Sequence, residues 1–281
     1  MTELLLRTLT GINTVTNALG DMLQAPVATM PGWLSITILS AVVGVLALII
    51  FKYTSNQKAI GRVRDDIKAN LLAVKLFRDN FSVALRSQAR VMAAAVKLLV
   101  YSLVPMLVII LPVCLVLAQM GTWYQVRPVR PGDGQVTVQL KMNHRAGTLP
   151  QVSLDPLPGV RLLTGPVRVP SRDEIYFRLQ PLEYGNHTLV FHIGDARYEK
   201  QLAVGEGFMR LSPRRPGANP GDVLLYPMEK PFSSGDHIGS ISIAYPARES
   251  KIFGTDWWIV YFFLASMAFA MLCKPFLKVR I

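Results

Sequence analysis

Cysteine and histidine are scarce in this chain, and the usual enzyme motifs are missing from it. The 281 residues include 2 Cys and 4 His. Cys114 and Cys273 both lie in long apolar runs, so they predict neither a disulfide framework nor a metal site, and we interpret them as small packing residues. No Gly-x-Ser-x-Gly element, phosphate-binding loop or zinc-protease motif occurs. We therefore predict no enzyme activity, no metal and no cofactor.

Charge is absent from three long apolar runs, at residues 33–51, 98–119 and 257–273. A helix rises about 1.5 Å per residue, so about 20 apolar residues cross a bilayer core of about 30 Å. The third run is short by this measure. Trp257, Trp258 and Lys274 stand at its two ends, where such side chains anchor a helix to the membrane interface. The three runs predict transmembrane helices.

Acidic residues are few between the first two runs, and this sets the orientation. Residues 52–97 hold ten Lys or Arg and three Asp, a net charge of 10 − 3 = +7, and the tail at 274–281 adds three more bases. Short loops rich in Lys and Arg stay in the cytoplasm. We therefore predict that 52–97 and 274–281 are cytoplasmic, whereas the N-terminus and residues 122–256 lie outside.

The excess of basic over acidic residues does not predict a nucleic-acid partner. The net charge is +12, but residues 122–256 contribute only 16 − 13 = +3, and the orientation signal explains most of the rest. The start of the chain does not resemble a signal peptide, since Glu3 precedes the first base, Arg7. Together with the shortage of cysteine, this favours a bacterial inner membrane, with an organellar membrane as the alternative.

The N-terminal segment, residues 1–32, carries an apolar stripe at helical spacing. Its members recur every three or four residues, at Leu5, Leu9, Ile12, Val15, Leu19 and Met22. This period is typical of an amphipathic helix. We predict an extracytoplasmic helix lying on the membrane surface.

Residues 122–256 change character, because they hold fourteen of the 19 prolines and only short apolar runs. Alternation of apolar and polar residues predicts strands at 135–142, 174–180, 187–193, 197–205 and 239–246. The stretches "YGN" and "GDA" are typical of hairpin turns. Residues 211–236, rich in Pro and Gly, predict a long irregular loop. We expect a β-sandwich-like extracytoplasmic domain.

The basic segment 52–97 predicts a helical hairpin. Apolar residues step by three and four along its first arm, at Ile60, Val63, Ile67, Leu71 and Val74. Thr54 and Gln57 fit a capping box at its start, and Asn80 fits a cap for the second arm. The stripe needs a partner: the other arm, the lipid surface, another subunit or a client polypeptide. The predicted fold class is thus an α-helical membrane protein with three transmembrane helices, a cytoplasmic helical hairpin and an all-β, sandwich-like extracytoplasmic domain.

This arrangement resembles the three-span members of the Oxa/YidC/Alb insertase superfamily, such as the archaeal YidC-like proteins and the insertase subunit of the ER membrane protein complex. The resemblance lies in residues 33–119, with "KYTSNQKAIGRVRDDIKANLLAVKLFRDN" as their core, and in the third span. It implies a protein that assists insertion or assembly of membrane proteins, with a thin three-span core that lowers the barrier. Two features depart from the family pattern: no span holds a charge, and a β-domain stands between spans two and three.

The resemblance implies roles for particular residues of the hairpin. The apolar stripe would contact the client, and the basic side chains would steer it: Lys52, Arg62, Arg64, Lys68, Lys75, Arg78, Arg86 and Arg90. In the second span, Tyr101, Ser102, Pro105 and Pro112 are candidates for helix packing or for a groove.

A second hypothesis is a non-catalytic accessory subunit of a larger inner-membrane complex, whose β-domain docks an extracytoplasmic protein. The size of the β-domain and the uncharged spans favour it. A transporter or channel ranks third, because spans without an ionisable residue offer no pathway in a single copy. The expected partners are therefore the lipid bilayer, membrane-protein clients or other membrane subunits, and an extracytoplasmic protein.

Overall fold

A computed structural model describes residues 2–28, 30–77, 81–143, 149–248, 257–277 and 279. The chain divides into two compact units. The strand unit comprises Met1–Ser35 and Leu115–Trp258, and the helix unit comprises Ile36–Cys114 and Ile259–Ile281. The α-helices are α1 (Thr2–Ala28), α2 (Gly32–Thr54), α3 (Gln57–Leu76), α4 (Phe81–Tyr124), α5 (Pro220–Leu225) and α6 (Trp258–Leu277).

Three helices, α2, α4 and α6, are long and apolar enough to cross a membrane. They contain most or all of the predicted runs 33–51, 98–119 and 257–273, so the expectation of three long apolar helices is confirmed. Helix α4 has 44 residues, about 66 Å at 1.5 Å per residue, which is twice the thickness of a bilayer core. Its basic first part, with Arg86 and Arg90, therefore continues into the span without a break.

The start of α3 differs from the predicted capping box of Thr54 and Gln57. Asn56 is the N-cap, and its side chain accepts a hydrogen bond of 3.0 Å from the backbone N–H of Ala59. Thr54 instead donates its hydroxyl to the carbonyl of Ile50, and Gln57 donates to the Ser55 hydroxyl. The prediction of the N-cap is wrong by two residues, because Asn caps a helix at least as well as Thr and both occur before α3. The other predicted cap, Asn80, lies outside the described residues.

The strand unit contains two antiparallel sheets around one apolar core. The strands are β1 (Val136–Met142), β2 (Val152–Leu154), β3 (Val160–Val169), β4 (Glu174–Pro181), β5 (Gly185–Ile193), β6 (Ala196–Val204), β7 (Arg214–Arg215) and β8 (Ile238–Ile243). One sheet has the order β3-β4-β1-β8-β7 and the other has the order β2-β5-β6. Phe177 of β4 meets Phe191 of β5 with ring centroids 5.3 Å apart, which joins the sheets as in a sandwich.

Alternation in the sequence places the core of this domain. In β5 the side chains of Leu189, Phe191 and Ile193 are buried, as their common face predicts. The five predicted strands correspond to β1, β4, β5, β6 and β8. Strands β2, β3 and β7 were not predicted, and the segment 211–236, expected to be irregular, contains β7 and the short helix α5.

A close helix crossing organises the helix unit. An added Cβ at Gly44 of α2 would stand 2.2 Å from the carbonyl oxygen of Ser266 in α6, so only glycine fits there. Ser40 and Leu48, one turn to either side, are buried. Two turns before Gly44 in α2, Thr37 shares a hydrogen bond of 2.6 Å with Tyr261 of α6. Small residues at one helix face allow such approaches in membranes.

Candidate functional site

The predicted stripe on α3 is covered at one end only. Ile60 and Val63 are 1% and 8% exposed, Ile67 and Val74 are half-buried, and Leu71 is 50% exposed. Leu72, Leu76 and Phe77 are also exposed beyond it. The second half of the stripe is therefore only partly covered.

Most of the predicted steering charges are exposed. Arg62, Lys68, Lys75, Arg86 and Arg90 are exposed, and Lys52 and Arg64 are half-buried. Arg78 lies outside the described residues. The hairpin thus exposes both apolar and basic side chains, with Lys68 and Lys75 on either side of Leu71 along α3. Such a surface suits a polypeptide or a lipid headgroup layer.

The four candidates in the second span differ in their surroundings. Ser102 donates its hydroxyl to the carbonyl of Leu98 at 2.9 Å, one turn back in its own helix. Pro105 is buried, Pro112 is half-buried and Tyr101 is exposed. Among the described residues, no hydrogen bond or aromatic contact joins these four to the α3 stripe.

A polar hub, which the sequence did not predict, joins α1, the end of α4 and the loop after β6 within the strand unit. Its members are Asn17, Asp21, Gln119, Thr122 and Arg210. The Arg210 guanidinium donates to the Asp21 carboxylate at 2.7 Å and to the Asn17 side-chain oxygen at 2.6 Å. It also donates to the side-chain oxygen of Gln119 and, at 3.3 Å, to the Thr122 hydroxyl. Gln119 in turn donates to Asn17 at 2.8 Å.

Helix α1 makes two more hydrogen bonds with this unit, both at α5 and the turn after it. The amide of Asn13 donates to the carbonyl of Val223 at 2.7 Å, and that of Asn17 donates to the carbonyl of Pro227 at 2.8 Å. Asn13 is buried in consequence. The polar face of α1 therefore faces the protein, which is the reverse of an ordinary surface helix.

An aromatic cluster lies beside the same helix end. Phe208, from the loop after β6, contacts Trp123 and Tyr124 of α4 at ring-centroid distances of 5.3 and 5.1 Å. Tyr124 stacks on Trp258 at 6.1 Å and shares a hydrogen bond of 2.5 Å with Ser35. Aromatic side chains of this kind collect where helices leave a bilayer.

Arg248 covers this aromatic cluster from the β-domain side. Its guanidinium carbon lies 4.9 Å from the centre of the Phe208 ring. It donates to the carbonyls of Val126 and Gly207, each at 3.3 Å. Burial lowers the pKa of Arg248, but an arginine stays charged at any physiological pH.

A buried lysine forms the other unpredicted feature of the strand unit. The Lys200 side chain is fully buried. Its ammonium group pairs with the Glu229 carboxylate and donates to the Ser212 carbonyl at 2.6 Å and to the Ser212 hydroxyl at 3.1 Å. Burial lowers the pKa of Lys200, and the Glu229 charge opposes that shift. Ser212 donates to the same carboxylate and is itself buried. A Ser–Lys pair closed in this way has no access to a substrate, so we interpret it as structural.

One polar cleft of about 460 Å³ opens near the end of the five-stranded sheet. Lys141, Arg214, Asp222 and Ser240 contribute side chains to it. Arg214 already binds Ser240 and Asp222, each at 3.2 Å. The described residues contain no group of three or more His, Cys, Asp or Glu side chains placed to hold a metal ion.

No protein-family model, curated protein or solved structure matches this chain. The class follows from the fold itself: a protein with three helices suited to membrane spanning and a separate antiparallel β-domain, that is, a multi-pass membrane protein. The resemblance to the insertase superfamily stays a prediction.

Proposed function

We propose that this chain assists the insertion or assembly of membrane proteins and has no catalytic activity of its own. In this proposal the hairpin faces the cytoplasm of a bacterium and the β-domain lies outside the inner membrane. The observation that carries the proposal is the open half of the α3 stripe, with Leu71 half exposed and basic side chains around it.

Exposing an apolar stripe to water is unfavourable in free energy, and a partner that covers the stripe removes this cost. Burying a leucine side chain stabilises a complex by about 1.5–3 kcal/mol. The covered first part of the stripe, Ile60 and Val63, holds α3 to the rest of the chain, and the open part is left for a transient contact. Basic residues beside it favour clients or lipids with negative charge.

Photo-crosslinking in living cells tests this proposal. A photoreactive residue is placed at Leu71, with Asp65 as the matched control, because Asp65 lies on the exposed opposite side of α3. A range of newly made membrane proteins captured at Leu71 and not at Asp65 supports the proposal. One or two stoichiometric proteins captured at Leu71 would overturn it in favour of a fixed complex. A second probe at Ser102 asks whether clients also reach the second span.

A second function is favoured by the edge strand β3. It pairs with β4 on one side only, and its interior residues are exposed. Leu162, Leu163 and Val167 are the large apolar ones among them. An exposed edge of this kind takes up an extended segment of another protein. This supports the alternative of an accessory subunit whose β-domain docks an extracytoplasmic partner.

Replacing Leu162 and Leu163 by lysine separates the two functions. Lysine on an exposed edge strand opposes pairing with a new strand, and the strand already contains one proline, Pro166. Loss of a co-purifying protein from the variant, with unchanged capture of clients at Leu71, would favour the docking role for the β-domain. An unchanged set of co-purifying proteins would count against it.

A further inference from the structure

Helix α1 shows its apolar side outward, although it belongs to the strand unit. Its polar face is occupied by the hydrogen bonds of Asn13 and Asn17 and by Arg210. The opposite stripe, with Leu5, Ile12, Val15, Leu19 and Met22, is exposed. In water this arrangement is unfavourable, because the polar face is covered by protein and the apolar stripe is exposed to the solvent.

The position of α1 shows which solvent it meets. Gln119 is the last residue of the apolar run 98–119 of α4, so it marks the level at which that span ends. Its side chain donates to Asn17 at 2.8 Å and to Thr16 at 3.3 Å. The middle of α1 is therefore pinned to the end of a membrane span.

The composition of the exposed stripe fits the same environment. At 100° per residue, the exposed stripe lies on one side of the helix, whereas the charged residues Arg7 and Asp21 lie off it. Helix α2, the first span, begins at Gly32, four residues after α1 ends at Ala28. So short a connection keeps the end of α1 within reach of the bilayer surface.

We propose that α1 lies in the plane of the membrane, with its apolar stripe in the lipid of the leaflet next to the β-domain. Interfacial helices sink about 5–10 Å into the boundary between headgroups and acyl chains. In α1 the polar face, which would normally meet water, binds Arg210 and α5 instead. The helix thus contacts lipid with one face and the β-domain with the other, and so holds the β-domain at the bilayer surface. This role is independent of what the β-domain binds.

The test uses two neighbouring reporter positions in the full-length protein. Cys114 and Cys273 are replaced by Ala, and Val15→Cys or Thr14→Cys is introduced and labelled with an environment-sensitive fluorophore. Both native residues are exposed, but Thr14 lies outside the apolar stripe. The protein is placed in vesicles of phosphatidylethanolamine and phosphatidylglycerol, with and without nitroxide-labelled lipid. Iodide serves as the quencher in water.

The proposal predicts that nitroxide lipid quenches the label at Val15 at least about twofold more than the label at Thr14, with the opposite order for iodide. Leu19→Cys, on the same stripe, should behave as Val15→Cys and guards against a local defect of one variant. Equal quenching at Val15 and Thr14, or strong iodide quenching at Val15, would overturn the proposal. Protection from both quenchers, with cross-links between two copies through Val15→Cys, would overturn it in favour of a self-association face.

Discussion

The two units of this protein place their apolar residues in opposite ways. In the strand unit, Phe177 is 1% exposed and lies between two sheets. In the helix unit, Leu107 of α4 is 62% exposed. Water drives apolar side chains into a core, whereas lipid does not. The contrast is what a chain with one unit in water and one suited to lipid would have, and the open half of α3 belongs to neither pattern.

The first prediction measures this contrast directly and has the largest expected effect. Phe177→Ala should lower the free energy of unfolding of the β-domain by about 3–5 kcal/mol, because it removes a fully buried ring. Leu107→Ala, the matched change at an exposed site of α4, should cost well under about 1 kcal/mol. Denaturant unfolding in detergent, followed by circular dichroism, gives both values. Equal losses would show that Leu107 is packed inside a protein partner.

The buried ion pair supplies the second prediction. Lys200→Met should destabilise the β-domain by about 3–5 kcal/mol, because it leaves the Glu229 carboxylate buried without its partner. The double variant Lys200→Met, Glu229→Gln should recover most of that loss, since no buried charge remains. The same unfolding measurement decides: a double variant as unstable as the single one would mean that Lys200 acts through packing alone.

The third prediction concerns the closest helix approach. Gly44→Leu should weaken the α2–α6 contact by at least about 1–3 kcal/mol, because its Cβ has no room beside the Ser266 carbonyl. A cysteine pair at Thr37 and Tyr261, joined by a flexible thiol-to-thiol cross-linker that spans the length of the lost tyrosine ring, reports the contact. Cross-linking between them should fall in Gly44→Leu and stay unchanged in Gly32→Leu, where nothing lies within 4 Å of the new Cβ. Unchanged cross-linking in Gly44→Leu would refute the approach.

The smallest effect is expected at an exposed ion pair of the strand unit. The hydrogen bond from Arg127, at 2.6 Å, lowers the pKa of Asp133 from its ordinary 3.8. A carboxyl with a lower pKa in the folded state stabilises the fold above pH 3.8, and this contribution is lost as the pH falls through the folded-state pKa. In Asp133→Asn, the free energy of unfolding should therefore fall less at acid pH than in the unaltered protein, by at most about 1 kcal/mol. A steeper acid limb in the variant would contradict the assignment.

The elements that sequence reasoning found are those with a strong local period. The uncharged runs predicted α2, α4 and α6, and alternation predicted β5 with its buried Phe191. Strand β3 was missed because it is an exposed edge, where residues such as Leu162 and Leu163 follow each other without alternation. The Asn56 cap was missed because neighbouring polar residues compete for the same role.

The polar hub could not be found from local patterns, because its members are far apart in the chain. Arg210 meets Asn17 across 193 positions. A trace of it was present: Asn13, Asn17 and Gly20 recur at helical spacing on the side of α1 away from the apolar stripe. Lys200 left a similar trace, since it stands between Tyr198 and Leu202 at an inward position of an alternating strand. A charge at such a position predicts a buried partner.

The proposed role of α3 depends most on whether its open stripe is used. The most direct measurement is insertion of a newly synthesised membrane protein into liposomes that contain this chain, compared with Leu71→Asp and with Asp65→Asn as the control. The account predicts faster insertion with the unaltered protein and with Asp65→Asn, and a loss of most of that gain with Leu71→Asp. Insertion that is equally fast with Leu71→Asp, or no faster than in empty liposomes, would contradict it.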